Sequence, residues 1–215
     1  MYGDNMKHAR PLLPLPDYQR IYQVIYSVLE ATGTATTHRA CILFTIAGTL
    51  ILREHYKLPA TISAGFMGLM VDEKSSTAVM YGRMGEGPES NREAFHAWVE
   101  CDGWLIDFMA PIMGVAFKED GHALNVPRRM LQKPLTARRG SPNELQKVGD
   151  FYLEHDAALA ESLIDTQSNG SIDLANVCVA WFRRPPRALK DMALGDSHGK
   201  PKKLVLRAPS IDGVW

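Results

Sequence analysis

Three cysteines are few for a chain of 215 residues, and Cys41, Cys101 and Cys178 show no C-x-x-C spacing. That excludes a disulfide scaffold and predicts a reducing compartment. Charge of one sign is also missing, since 24 basic side chains balance 24 acidic ones. Without a net field the chain has no long-range attraction to nucleic acid or to an anionic membrane, so neither is expected as a partner. Long apolar runs are absent too: the longest, Ala40 to Leu52, is interrupted by Thr45, Gly48 and Thr49 and is too short to span a bilayer. The opening MYGDNMKHARPLLPLPDYQ is broken by prolines where a secretory signal needs a continuous apolar core. Together these absences predict a cytoplasmic protein.

What is present is a globular composition, 46% hydrophobic and 22% charged, expected to fold as one domain over residues 1–215. Asp17 is read as the cap of a first amphipathic helix with apolar positions Ile21, Val24, Ile25, Val28 and Leu29, ended by Gly33. A second helix, with Thr36 or Thr37 as N-cap and Cys41 in its first turn, is apolar on every side and must be buried. From Pro59 the period changes. TISAGFMGLMV and STAVMYGR read as paired strands, and EAFHAWVECDGWLIDFMAP as two more joined by a two-residue turn at Asp102-Gly103. Residues 118–142 read as loop, and Ser141 to Glu144 as a capping box opening a helix of several turns. Another helix is expected from about Ser171 to before Pro185, then a loop over LKDMALGDSHGKPKK and a late edge strand in KLVLRAP. The fold class is therefore α+β, with a buried cysteine-bearing helix packed on an antiparallel sheet.

Chemistry concentrates at three residues. A thiol at a helix N-terminus faces unpaired backbone N–H groups and the positive end of the helix dipole, both of which favour a thiolate nucleophile. A buried core cysteine is the ordinary alternative for Cys41. The Asp102-Gly103 turn places residue 98 opposite 107, so His96 is the diagonal neighbour of Asp107 on one sheet face, within hydrogen-bonding reach. Such a carboxylate fixes the tautomer of the ring and leaves its other nitrogen free to exchange a proton with a nucleophile. Trp98, on the same face as His96, is assigned to shielding the pair and lining the substrate site, with core packing as its alternative. The backbone N–H of Cys41 is the first oxyanion donor and a side chain upstream, Thr36 or Thr37, the second, with helix capping as the alternative for both threonines.

His96-Ala97-Trp98-Val99-Glu100, then Gly103-Trp104 and Asp107, resembles the histidine and aspartate strands of the bacterial transglutaminase-like superfamily. Upstream, Cys41, Leu52-Arg53, Leu58-Pro59-Ala60 and Gly65 are similar to that superfamily's cysteine helix and the strand that follows it. The resemblance covers residues 33–110. It implies a papain-like cysteine-proteinase fold with Cys41 as nucleophile, His96 as general base and then acid, and Asp107 orienting the imidazole. The implied activity is thiol-dependent acyl transfer on a small amide, a peptide or a protein, by hydrolysis or transamidation, without metal or cofactor. Arg39 stands where the family usually has glycine and Thr61 where it usually has arginine, which leaves substrate class and oxyanion geometry open. A binding module that keeps the fold without turnover is the rival reading.

Other features carry blander readings beside functional ones. His38 is a rival base or a surface histidine, and the loop from Gly82 to Glu93 is a gate or a plain connection. Arg128, Arg129, Lys133, Arg138 and Arg139 form an anion site or a solvated loop, as do the basic residues of Trp181-Phe182-Arg183-Arg184-Pro185. Met67, Met70, Met80 and Met109 line a cleft or fill the core. Cys101 and Cys178 read as structural. His96, Cys101, His122 and His155 lack the close paired spacing of a zinc site.

Overall fold

The computed structural model describes residues 11–33, 36–195 and 199–215. The first ten residues of the opening segment, whose prolines at 11, 14 and 16 are described, and residues 196–198 of the expected late loop lie outside the described residues. Helix α1 runs from Leu15 to Thr32 and buries Tyr18, Ile21, Tyr22, Ile25 and Val28, a stripe at helical spacing. Its N-cap is Pro14, not Asp17, which instead stands in the first turn and accepts a hydrogen bond from Tyr56 at 2.5 Å. Gly33 ends it as expected, at φ 62° with its N–H on the Leu29 carbonyl.

A single 3-10 turn, Thr37–Arg39, leads into α2, Cys41–Ile51. The expected threonine cap is absent, because the turn ends at Ala40 and the Thr37 hydroxyl donates to Glu30 at 2.5 Å. Helix α2 continues as a π-helical turn, Leu52–Tyr56, stopped by Lys57 at φ 57°. Phe44, Ile46 and Ile51 are buried in it, each such side chain contributing about 1.5–3 kcal/mol. Gly48 allows a close approach, since a Cβ there would lie 2.4 Å from the Phe108 ring.

The sheet follows: β1 (Thr61–Asp72), β2 (Thr77–Tyr81), a small hairpin of β3 (Arg83–Met84) and β4 (Pro88–Glu89), then β5 (His96–Cys101) and β6 (Trp104–Asp107). After α3 (Met113–Glu119) come β7 (Arg129–Pro134) and β8 (Phe151–His155). Helices α4 (Ala157–Asp165) and α5 (Asn169–Trp181) then precede a second small pair, β9 (Ala193–Leu194) with β10 (Lys202–Lys203), and β11 (Gly213–Val214). The main sheet has the order β11-β7-β6-β5-β1-β2, with β8 also on β1; β11 runs parallel to β7. The protein is thus a mixed α/β structure of the α+β class.

The register of β1 positions the site. Gly65 pairs with His96 of β5 and also with His155 of β8, so those strands lie on opposite edges of β1. Because Met67 and Leu69 pair with both β8 and β2, β2 lies on the same edge as β5. The end of β2 and the start of β5 therefore meet along one edge of β1. Alternation then separates two cores: Ala97, Val99 and Cys101 face the helices α1, α2 and α5, while Trp98, Leu105, Leu131 and Phe151 fill the other side.

Three expectations are corrected by the fold. The capping box at Ser141 opens only a 3-10 turn, Pro142–Glu144, in which the Glu144 carboxylate accepts from the Gly140 N–H at 3.1 Å. The Asp150 carboxylate then accepts from Gln146 and Lys147 N–H, closing a second turn before Phe151 and Leu153 enter the core at strand spacing. KLVLRAP forms no edge strand beyond Lys203; the last strand of the sheet is Gly213–Val214. Residues 118–142 contain β7 rather than loop alone, because Met130 and Leu131 bury on opposite faces. Helix α5 agrees with expectation, starting two residues early on the Ser168 cap. Among the described residues no helix is long and apolar enough to cross a membrane.

Candidate active site

His96 opens β5 and Asp107 closes β6, so a tight turn at the far end of the hairpin delivers both to one end of the sheet. Asp102 at φ 48° and Gly103 at φ 78° make that turn. The strands pair Val99 with Ile106, Glu100 with Leu105 and Cys101 with Trp104, the register read from the sequence. Nε2 of His96 lies 2.9 Å from Oδ2 of Asp107, with side chains 0% and 1% exposed. The other carboxylate oxygen, Oδ1, accepts from the Met109 N–H at 2.8 Å. The Tyr18 hydroxyl donates to the Asp107 carbonyl and accepts from the Leu131 N–H at 3.4 Å, which ties the end of β6 to α1.

Burial alone would hold the His96 imidazole neutral. The charge and hydrogen bond of Asp107 outweigh it, helped by Cys41, and the ring is pushed up from 6.5 to about 10. Its Nδ1 is buried without a hydrogen-bond partner among the described residues. Cys41 acts on the same ring from the first residue of α2, where no side chain caps the helix N–H groups; it is 7% exposed. The structure thus brings Cys41, His96 and Asp107 together.

The raised His96 pKa makes stability depend on pH. Ion-pair stabilisation is fully present below pH 6.5, where both folded and unfolded rings are charged, and is lost as pH rises through about 10. We expect the Tm to fall across this window in the wild type and to stay flatter in Asp107→Asn; equal slopes by calorimetry would refute the linkage.

The supporting assignments fare differently. Trp98 is fully buried in the second core with its indole N–H on Glu100 at 3.0 Å, so packing, not contact with substrate, is its place. Thr37 is spent on Glu30 and offers no second oxyanion contact. His38 Nε2 lies 2.7 Å from Glu119, which removes the rival base, and Arg39 pairs with Asp120. The basic cluster is divided among internal partners: Arg139 with Asp150, Arg128 with Asp212, Lys133 on the Gly149 carbonyl and Arg129 over Trp215. Arg184 stacks over Tyr56. Met67 and Met109 are core, 0% and 2% exposed. Burial pushes Cys101 up to about 11 and holds Cys178 higher still. No group of three or more His, Cys, Asp or Glu among the described residues is placed to hold a metal ion.

One site residue has no counterpart in the sequence reading. Tyr81, the last residue of β2, stacks on the His96 ring at 4.4 Å between centroids and 23° between planes. It sits there because Tyr81 and His96 pair with Met67 and Gly65, two residues apart along the same edge of β1. Only the strand order shows this, and no local signal in VMYGR carries it. Phe117 of α3 also contacts Tyr81, tilted on it at 6.0 Å, and lines a cleft of about 360 Å³ with Val79, Met80 and Leu124.

A solved structure described as "The crystal structure of genomics APC5867" is 34% identical, with a TM-score of 0.81 over 97% of this chain and 100% of that one. No curated protein matches. The match to a protein family extends over residues 14–215, from the start of α1 through β11, and so includes Cys41, His96 and Asp107 together with Tyr81. The chain belongs to that family, described as "Protein of unknown function (DUF2026)".

Proposed function

We propose that the protein is a thiol-dependent acyl-transfer enzyme with a papain-like arrangement of a cysteine helix against a histidine- and aspartate-bearing sheet. The observation that carries this reading is the buried 2.9 Å pair of His96 and Asp107, whose ring leaves Nδ1 unpartnered beside Cys41. In the reaction, the Cys41 proton is already held on the His96 ring, which stays charged up to about pH 10, and Cys41 Sγ bonds to the carbonyl carbon of an amide or ester. His96 then protonates the leaving amine or alcohol as its bond to carbon breaks, leaving a thioester on Cys41. Water or an amine accepts the acyl group in the second half, deprotonated by the same ring. The substrate class is a small amide, a peptide or a protein acyl group.

A second reading, a binding module without turnover, is favoured by one observation: Cys41 is 7% and His96 0% exposed. Iodoacetamide separates the two. An enzyme reacts first at Cys41 near neutral pH, ahead of Cys101 and Cys178, whose thiols burial holds protonated. His96→Ala removes that selectivity. If peptide mass spectrometry finds Cys41 inert until the protein unfolds, the acyl-transfer reading falls and the binding module stands.

A further inference from the structure

Acyl transfer at Cys41 creates a negatively charged oxygen that needs fixed donors, and the backbone N–H of Cys41 supplies one. The second is not Thr37, whose hydroxyl is committed to Glu30. Leaving aside His38 Nε2, which pairs with Glu119, six buried side-chain polar atoms among the described residues lack a hydrogen-bond partner. Two of them, Nδ1 of His96 and the Tyr81 hydroxyl, belong to rings stacked on each other at 4.4 Å. An unsatisfied buried hydroxyl costs about 1–3 kcal/mol, and such groups are rare in folded proteins. Cys41, which acts on the same ring, accounts for the nitrogen; the Tyr81 hydroxyl beside it has no such partner.

Resting on the acyl-transfer reading, we propose that Tyr81 is a further catalytic residue whose phenolic O–H donates a hydrogen bond to the oxyanion formed when Cys41 attacks a carbonyl. As the C–S bond forms, the carbonyl π electrons move to oxygen; Tyr81 keeps its proton and stabilises the alkoxide by hydrogen bonding alone. When the C–O double bond re-forms and the leaving group departs with the proton from His96, the hydroxyl is released unchanged. Three features of the surroundings suit this role. The stack on His96 fixes the ring relative to the proton carrier. Phe117, tilted on Tyr81 at 6.0 Å, gives the ring a second aromatic contact. Burial, with the charges of Asp107 and Cys41, raises the phenol well above its ordinary range, so it remains a donor at neutral pH.

Tyr81→Phe removes only the oxygen and keeps the ring stack. With p-nitrophenyl acetate as the probe, the burst of acetyl-enzyme formation on Cys41 is expected to slow about 10²–10³-fold. Alkylation of Cys41 by iodoacetamide, a displacement at saturated carbon that forms no oxyanion, is expected at the wild-type rate, with an unchanged or higher Tm. Acylation at the wild-type rate in Tyr81→Phe overturns the proposal, as does a parallel loss of alkylation, which would make Tyr81 a support for His96 only. Selective alkylation of the wild type without any acetyl-enzyme also overturns it. Loss of selective alkylation in the wild type itself overturns the acyl-transfer reading instead.

Discussion

Asp107→Asn leaves the protein folded and slows acyl-enzyme formation about 10⁴-fold, the scale set by a histidine held in the wrong tautomer. The reason lies in the second oxygen of Asp107. Oδ1 accepts from the Met109 N–H at 2.8 Å, so an asparagine must keep its carbonyl there and turn its amide N–H₂ toward His96. Nε2 then becomes the acceptor and Nδ1 carries the proton, and a protonated Nδ1 cannot take another from Cys41. The carboxylate charge that supports the imidazolium is lost as well. Burst kinetics with p-nitrophenyl acetate measure the effect, and selective alkylation of Cys41 should decline with it. A variant within tenfold of wild type would show that Asp107 neither orients nor charges the ring.

Gly65→Ala is expected to produce the largest loss of stability, about 3–5 kcal/mol or complete misfolding. Gly65 has φ 154°, and a Cβ on it would lie 2.0 Å from the Glu154 carbonyl oxygen and 3.1 Å from the Asp156 N–H nitrogen. Both are backbone atoms of β8 and its exit, so no side chain can swing away; β8 must separate from β1. A urea midpoint within about 0.5 kcal/mol of the wild type would mean that β8 yields easily. A variant that does fold should show depressed Cys41 reactivity, because Gly65 pairs with His96 across the opposite edge.

What could be read from the sequence was what local rules determine. Asp102-Gly103 fixes a two-residue turn, the turn fixes the register, and the register puts His96 beside Asp107. The all-round apolar run after Cys41 likewise forces a central helix. Local rules failed where an equally good local alternative existed: Ser141 to Glu144 satisfies itself in one 3-10 turn, and the lack of an apolar stripe beyond it was the missed sign. Non-local pairing stayed hidden. The two-residue β11 finds β7 although Gly213 and its partner Arg129 lie far apart in sequence, and Tyr81 meets His96 only because β2 and β5 share an edge of β1. The Asp17 and Thr37 caps failed because each side chain has a distant partner, Tyr56 and Glu30, that competes with its own helix.

The double pairing of Gly65 also sets a schedule for synthesis. Cys41 leaves the ribosome before His96, and His96 before β8, whose His155 closes the other edge of β1 at that residue. Contacts of such sequence separation form late. A half-made chain therefore has Gly65 paired on its His96 edge alone, and β1 becomes an interior strand at that residue only when β8 has been made.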